Sequence, residues 1–147
     1  MTILIKSFDY HSTDYAKALL LRDRVLRQPL GLKFTEEELK KDKNDVHFGL
    51  FNGDDIVACL ILTDAGNKRM KMRQVAVDGQ YQGKGLGKSL SFAAEKYALE
   101  HGFTAMFCHA RKTAAPFYQN LGYHIVGDEF TEVNIPHYTM EKDLLAL

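Results

Sequence analysis

The chain has no charge bias: 19 Lys and Arg balance 19 Asp and Glu, for a formal net charge of zero. No global field therefore draws it to nucleic acid or to an anionic membrane, and neither is expected as a partner. It has no long apolar run, since none approaches the roughly 20 residues needed to span a bilayer. Its opening stretch, MTILIKSFDYHSTD, lacks the basic-then-apolar layout of a signal peptide. Cysteine is scarce. Cys59 and Cys108 each sit inside an apolar run, VACLIL and AMFCHA, which predicts buried thiols in a reducing, cytoplasmic setting rather than a disulfide framework. Cys108 and His109 are adjacent, and adjacent strand residues point to opposite faces, so they do not share an ion easily and no metal is expected. Internal repeats, low-complexity segments and linkers are missing too. The 147 residues read as one domain, 1–147, long enough to bury a core unaided.

What is there is a regular alternation of signals. Residues 3–5 form a short apolar strand. Ser12 to Asp14 offer N-cap residues for a helix whose apolar side is expected to carry Ala16, Leu19, Leu20, Val25 and Leu26. Pro29 and Gly31 mark its end. Thr35 with Glu38 fits a capping box and predicts a short polar helix to about Lys41. Three strand-like runs follow at residues 46–51, 55–63 and 69–77, the first two joined by the hairpin signal Asn52-Gly53-Asp54. The second is almost continuously apolar, as a central strand should be. A helix begins near Gly87, with Leu90, Ala93, Ala94, Tyr97 and Ala98 on its apolar face, and Gly102 closes it. Residues 104–110 form a strand, and Thr113 opens a short helix with Pro116 in its first turn and Gly122 after it. Strands at 123–126 and 133–142 complete a β-α-α-β-β-β-α-β-α-β-β order. An antiparallel meander in the first half and helix-strand alternation in the second define a mixed α/β (α+β) sheet.

The stretch QGKGLGKS at residues 82–89 joins the third of those strands to the following helix. Its Lys-Ser ending matches a nucleotide P-loop, G-x-x-x-x-G-K-[ST], but the required first glycine is Gln82. Asp64, the one tempting magnesium ligand, falls at the wrong end of a hairpin strand. A dinucleotide fingerprint, G-x-G-x-x-G, fails by one residue, and Ala110-Arg111 stand where an acidic strand end should be. What remains is physical. Gly83, Gly85 and Gly87 allow positive φ and close backbone approach. Successive N–H groups at a helix N-terminus form an anion cradle suited to a pyrophosphate, and Lys84 and Lys88 add charge. The bland alternative is a glycine-rich turn without a ligand.

QGKGLG at residues 82–87 resembles the Q/R-x-x-G-x-G/A loop of the GNAT superfamily of acyl-CoA-dependent N-acyltransferases. APFYQNLGY at residues 115–123, with Ala114 before it, is similar to that family's A-x-x-F-Y-x-x-x-G-F, with Tyr123 for the final Phe. The strand before the loop departs from the usual L-x-V-x-P in placing Asp78 where Pro is common. EVNIPHYTM at residues 132–140 resembles a subgroup of small, poorly specified members. The resemblance covers the whole chain. It implies a central sheet, mostly antiparallel, splayed at the cofactor site and flanked by helices, with acetyl-CoA as cosubstrate. The cofactor-binding set it implies comprises Val75, Ala76 and Val77, whose backbone meets the pantetheine arm; Gln82, Gly83, Lys84, Gly85, Leu86, Gly87, Lys88 and Ser89 at the pyrophosphate; and Phe117 with Tyr118. An N–H near Val75 would polarise the thioester carbonyl. Homodimers are frequent in the family, and that state stays open here.

The chemistry implied is attack of a neutral amine on a thioester, which needs a base for the amine proton and an acid for the leaving thiolate. Tyr118 matches the family's acid, and an unperturbed tyrosine pKa near 10 suits transfer to a thiolate. The alternative for Tyr118 is a core aromatic beside Phe117, and the motif match favours the acid. Three groups compete for the base: Glu132 and His137 in the C-terminal strand region, and His109 in mid-strand, where a lone histidine is more often a structural hydrogen-bonder. His11, His47, His101 and His124 read as surface or turn residues. Arg24 and Arg27 either recognise an acidic group on the acceptor or line a solvated helix face paired with Asp23, the second being the preferred expectation. The function expected is an N-acetyltransferase acting in a ternary complex. A non-catalytic acyl-CoA-binding or regulatory module is the alternative, and a P-loop-like nucleotide-binding protein the remote one.

Overall fold

The computed structural model describes residues 2–146. Its elements are β1 (Ile3–Phe8), α1 (Thr13–Arg22), α2 (Glu36–Lys40), β2 (Val46–Asn52), β3 (Asp55–Asp64), β4 (Arg69–Val77), α3 (Leu86–Glu100), β5 (Ala105–Arg111), α4 (Ala115–Asn120), β6 (His124–Glu132) and β7 (Ile135–Asp143). The order is the predicted one. The sheet has seven strands, in the order β1-β2-β3-β4-β5-β7-β6. The pairs β1–β2, β2–β3, β5–β7 and β6–β7 run antiparallel, and β4–β5 is parallel over Arg69 to Lys71. This is the mixed, mostly antiparallel α/β architecture expected. The chain divides into two compact units. The first runs to Thr63 and resumes over Gln74–Ala94; the second comprises Asp64–Arg73 and Glu95–Leu147.

In the first unit, Ser12 caps α1 by accepting from the Tyr15 N–H at 3.1 Å. The helix buries Tyr15, Ala18, Leu21 and Arg22, and Ala18 and Leu21 pack with Phe51, Ile56, Cys59 and Ala76, with Val25 and Leu26 partly buried against them. The expected apolar side is thus rotated: Leu20 is 68 % exposed and Ala16 is exposed. The cause lies far along the chain. Asp42, wholly buried, draws in Tyr15 and Arg22 as partners at 2.6 and 2.8 Å, so two polar-tipped residues occupy the face that apolar counting assigned elsewhere. After α1 the backbone widens into a π-helical turn over Asp23–Arg27, tightens into a 3₁₀ turn over Gln28–Leu30, and closes at Gly31 with φ of 68°. The Thr35–Glu38 capping box forms as predicted. β3 is buried from Ile56 to Leu62, as its unbroken apolar run requires.

In the second unit, β5 lies between β4 and β7. Glu95 near the middle of α3 accepts from the Tyr123 hydroxyl at 3.0 Å and from Lys142 Nζ at 2.8 Å, while Lys142 also donates to the Leu121 carbonyl at 2.7 Å. That knot ties α3, the turn after α4, and β7. β6 is longer than the expected 123–126. It continues to Glu132 and pairs with β7 down to Glu132↔Ile135, across a two-residue turn in which Val133 and Asn134 have φ of 46° and 65°.

Candidate functional site

The glycine loop lies in the first unit. Asp78, just past the end of β4, has three roles. Its N–H donates to the Val57 carbonyl at 2.9 Å, its side chain accepts from the Gln80 N–H at 3.0 Å to cap a 3₁₀ turn over Gly79–Tyr81, and it pairs with Arg24 at 2.9 Å. Gln82 Nε2 donates to the Val77 carbonyl at 3.2 Å and straps the loop to the strand end. Gly83 and Gly85 have φ of 80° and 75°. A Cβ at either meets nothing within 4 Å, so backbone conformation rather than crowding calls for glycine there. Gly87 differs from its expectation: it lies buried in the first turn of α3, outside the positive-φ set.

α3 starts at Leu86. Its first intrahelical bond runs from the Ser89 N–H to the Gly85 carbonyl at 3.1 Å, so the N–H groups of Leu86, Gly87 and Lys88 have no acceptor inside the helix. No acidic residue stands in that first turn. Lys84 and Lys88 are exposed, lie 5.5 and 5.7 Å from the Tyr81 and Phe92 rings, and form no ion pair among the described residues. Free amides at the positive end of a helix, with two spare ammonium groups nearby, are what a pyrophosphate needs. Ser89 Oγ donates back to the Gly85 carbonyl at 3.1 Å, as a serine in a first turn commonly does.

On β4, Ala76 packs into the first unit's core at 2 % exposure while Val75 and Val77 are half-buried. Only the backbone of Ala76 and Leu86 (8 % exposed) remains for a ligand. Reading the sequence missed Gln74. It adopts φ of 54° in mid-strand, and its side-chain Oε1 is buried with no hydrogen-bond partner. No local signal marks it, since glutamine has no preference for that conformation.

The remaining predicted residues lie in the second unit. Tyr118 on α4 is 7 % exposed, and its ring packs edge-on to Phe117 and Tyr123, with centroids at 5.0 and 5.7 Å. Its hydroxyl has no hydrogen-bond partner among the described residues, which is unusual for a buried tyrosine. Burial, and then the neighbouring Cys108, push its pKa well above the usual 10. Burial likewise pushes the Cys108 thiol up to about 12. The unperturbed pKa expected for Tyr118 therefore does not hold in the folded chain. Phe117 is 38 % exposed beside Tyr118.

The three base candidates come together. His109 Nδ1 lies 3.1 Å from Glu132 Oε1, and His137 Nε2 lies 3.7 Å from Glu132 Oε2. His137 Nδ1 donates to the Ile135 carbonyl at 2.9 Å. Phe130 packs edge-on to His109 at 5.0 Å and stacked on His137 at 5.9 Å. The β6–β7 turn brings Glu132 here. Val133 concealed that turn, because a β-branched residue is rare at positive φ.

Two further expectations are corrected. Arg24 and Arg27 are paired, but neither with Asp23. Arg24 binds Asp78, and Arg27, 6 % exposed, pairs with Glu38 at 3.2 Å and stacks on Phe34 at 4.3 Å. His47 is a core residue at 2 % exposure, held through Nε2, which donates to the Asp42 carbonyl at 2.8 Å. Cys59 and Cys108 are free, buried thiols as expected. No helix among the described residues is long and apolar enough to cross a membrane.

The architecture is that of the N-acetyltransferases. A crystal structure from Lactobacillus plantarum, assigned as an N-acetyltransferase, superposes with a TM-score of 0.89 at 27 % identity, covering 99 % of this chain and 100 % of that one. The PaiA N-acetyltransferase from Thermoplasma acidophilum, solved in complex with coenzyme A, shares the fold with a TM-score of 0.75 at 15 % identity, over 97 % and 99 % of the two chains. The sequence profile of the acetyltransferase (GNAT) domain matches residues 25–144, and the chain belongs to that family. The uncharacterized protein YyaT of Bacillus subtilis is 38 % identical over 74 residues, 50 % of each chain, so the match spans about half the length of this curated relative.

Proposed function

We propose that the protein transfers an acetyl group from acetyl-CoA to a primary amine, by direct attack in a ternary complex and without a metal. The observation that carries this reading is the start of α3: unpaired first-turn amides, no acidic neighbour, and the uncompensated Lys84 and Lys88 suit the pyrophosphate of the cosubstrate. The backbone of Val75 and Val77 is assigned to the pantetheine arm, and an N–H near Val75 to the thioester carbonyl, where it stabilises the developing oxyanion.

The amine nitrogen bonds to the carbonyl carbon, the C–S bond breaks, and the departing thiolate takes the Tyr118 proton. Burial keeps that proton on the phenol until a second anion forms beside it. A thiolate expelled beside a buried phenol is poorly solvated and therefore basic, and the transfer relieves it. The same burial keeps Cys108 a thiol and so a poor nucleophile, which favours direct attack over an acyl-enzyme.

Acetyl-CoA is expected to raise the thermal midpoint and Mg-ATP to leave it unchanged. Thiol release is expected with at least one member of a primary-amine panel. No shift with acetyl-CoA removes the reading; a shift without thiol release from any amine replaces it with a non-catalytic acyl-CoA-binding module.

A further inference from the structure

The cluster of His109, Glu132 and His137 in the second unit holds three titratable side chains, but only one of its two imidazoles presents an open nitrogen to the outside. His137 is 3 % exposed, and its Nδ1 proton is committed to the Ile135 carbonyl at 2.9 Å. Its other nitrogen faces Glu132 Oε2 at 3.7 Å. Both carboxylate oxygens of Glu132 are turned toward imidazole rings, one at 3.1 Å and one at 3.7 Å. His109 differs. Its Nδ1 lies within hydrogen-bond distance of the carboxylate, which accepts only, so the neutral ring carries its proton on Nδ1 and leaves the Nε2 lone pair bare. Nε2 has no hydrogen-bond partner among the described residues. The side chain is 28 % exposed, and Phe107 and Phe130 flank the ring at 6.3 and 5.0 Å. An oriented ring, a fixed tautomer and an open nitrogen are what a general base requires.

We propose that His109 is the general base of the acetyl transfer, accepting the amine proton on Nε2 directly or through one water, and that Glu132 is the positioning residue that fixes its tautomer. The inference rests on the transfer reading above. As the nitrogen–carbon bond forms, the amine N–H proton passes to Nε2; Tyr118 gives its proton to the leaving sulfur; the imidazolium then returns its proton to solvent and the phenolate regains one. His137 takes no part in proton transfer, since its Nδ1 proton is committed to the Ile135 carbonyl.

The test has two arms on the full chain. In the first, long-range proton–nitrogen NMR of the histidine rings is expected to show His109 as the Nδ1–H tautomer in the wild type and a shift toward Nε2–H in Glu132→Ala. A wild-type ring already in the Nε2–H form overturns the proposal. In the second, thiol release from acetyl-CoA is followed with spermidine, 2-phenylethylamine and a lysine-containing peptide. His109→Gln is expected to lose about 100-fold or more in kcat, with the KM for acetyl-CoA and the thermal midpoint retained. Glu132→Ala is expected to lose kcat as well, and the double variant little beyond His109→Gln, because the two act as a unit. An active wild type matched in kcat by His109→Gln overturns the base assignment alone. A wild type inert toward every amine and unable to bind acetyl-CoA overturns the transfer reading, and the role of His109 with it.

Discussion

In the first unit, Asp42 is fully buried and one carboxylate oxygen accepts from Tyr15 at 2.6 Å and Arg22 at 2.8 Å, while its backbone carbonyl takes the His47 ring. In the second, Glu132 is 46 % exposed and faces His109 and His137 at 3.1 and 3.7 Å. Both are a carboxylate among cationic or imidazole partners, yet their energetics differ. A buried pair is costly to break because the orphaned charge stays out of water. An exposed one contributes about 0–1 kcal/mol. The second cluster therefore does little for stability, and its residue types are better explained by chemistry. The open nitrogen of His109 belongs to a side chain that is 28 % exposed, whereas the orphaned donor beside Asp42, Arg22 Nε, is buried.

Breaking the sealed cluster is expected to have the largest effect. Asp42→Ala should cost about 3–5 kcal/mol, a large share of the roughly 5–15 kcal/mol that holds a domain together, measured by urea denaturation. Glu132→Ala should stay within about 1 kcal/mol of the wild type. Equal losses in the two variants would erase the distinction between the clusters.

Tyr118→Phe ranks next. Removing a hydroxyl that has no partner should leave the denaturation midpoint and acetyl-CoA affinity nearly unchanged, while kcat for amine acetylation falls by about 100-fold or more. An unchanged kcat removes Tyr118 as the acid and returns it to the core. A large loss of stability would mean the hydroxyl is structural after all.

How legible all this was in the sequence follows the range of the interactions. The element order, the Thr35–Glu38 capping box and the glycine loop are local signals, and each appears where expected. The A-x-x-F-Y segment likewise sits on α4. The buried face of α1 was misread because its partner, Asp42, lies 20 residues from Arg22 and 27 from Tyr15. His47 follows the same rule: a histidine in an apolar strand looks like a turn residue until the carbonyl that holds it is known. The joining of His109 to Glu132 depends on a two-residue turn at Val133 and Asn134, whose first position carries a β-branched residue in place of the usual glycine or asparagine. Gln74 is the limiting case, since its positive φ and its stranded side-chain oxygen have no signature in composition or spacing.

The smallest expected effect tests the sealed cluster by pH. Burial pushes the pKa of His47 below its ordinary 6.5, and Arg22 pushes it the same way; Asp42 and Asp45 pull it up without prevailing. The folded protein thus holds the ring neutral where the unfolded chain has begun to protonate it. Between the two pKa values the unfolded state binds more protons, so stability rises with pH. The contribution is complete above about 6.5 and is lost progressively as pH falls through the folded value. Ring packing against Phe8 at 5.8 Å and Tyr15 at 5.2 Å leaves no room for the charge to find water. The urea midpoint should therefore be flat near neutrality and decline below about pH 6.5, well above the range near 4 where carboxylates titrate. His47→Gln, which keeps an amide donor for the Asp42 carbonyl, should flatten that decline while lowering the plateau slightly. A variant that declines as steeply as the wild type over the same window would show that the loss originates elsewhere, and that the buried ring is merely packed rather than held neutral by the fold.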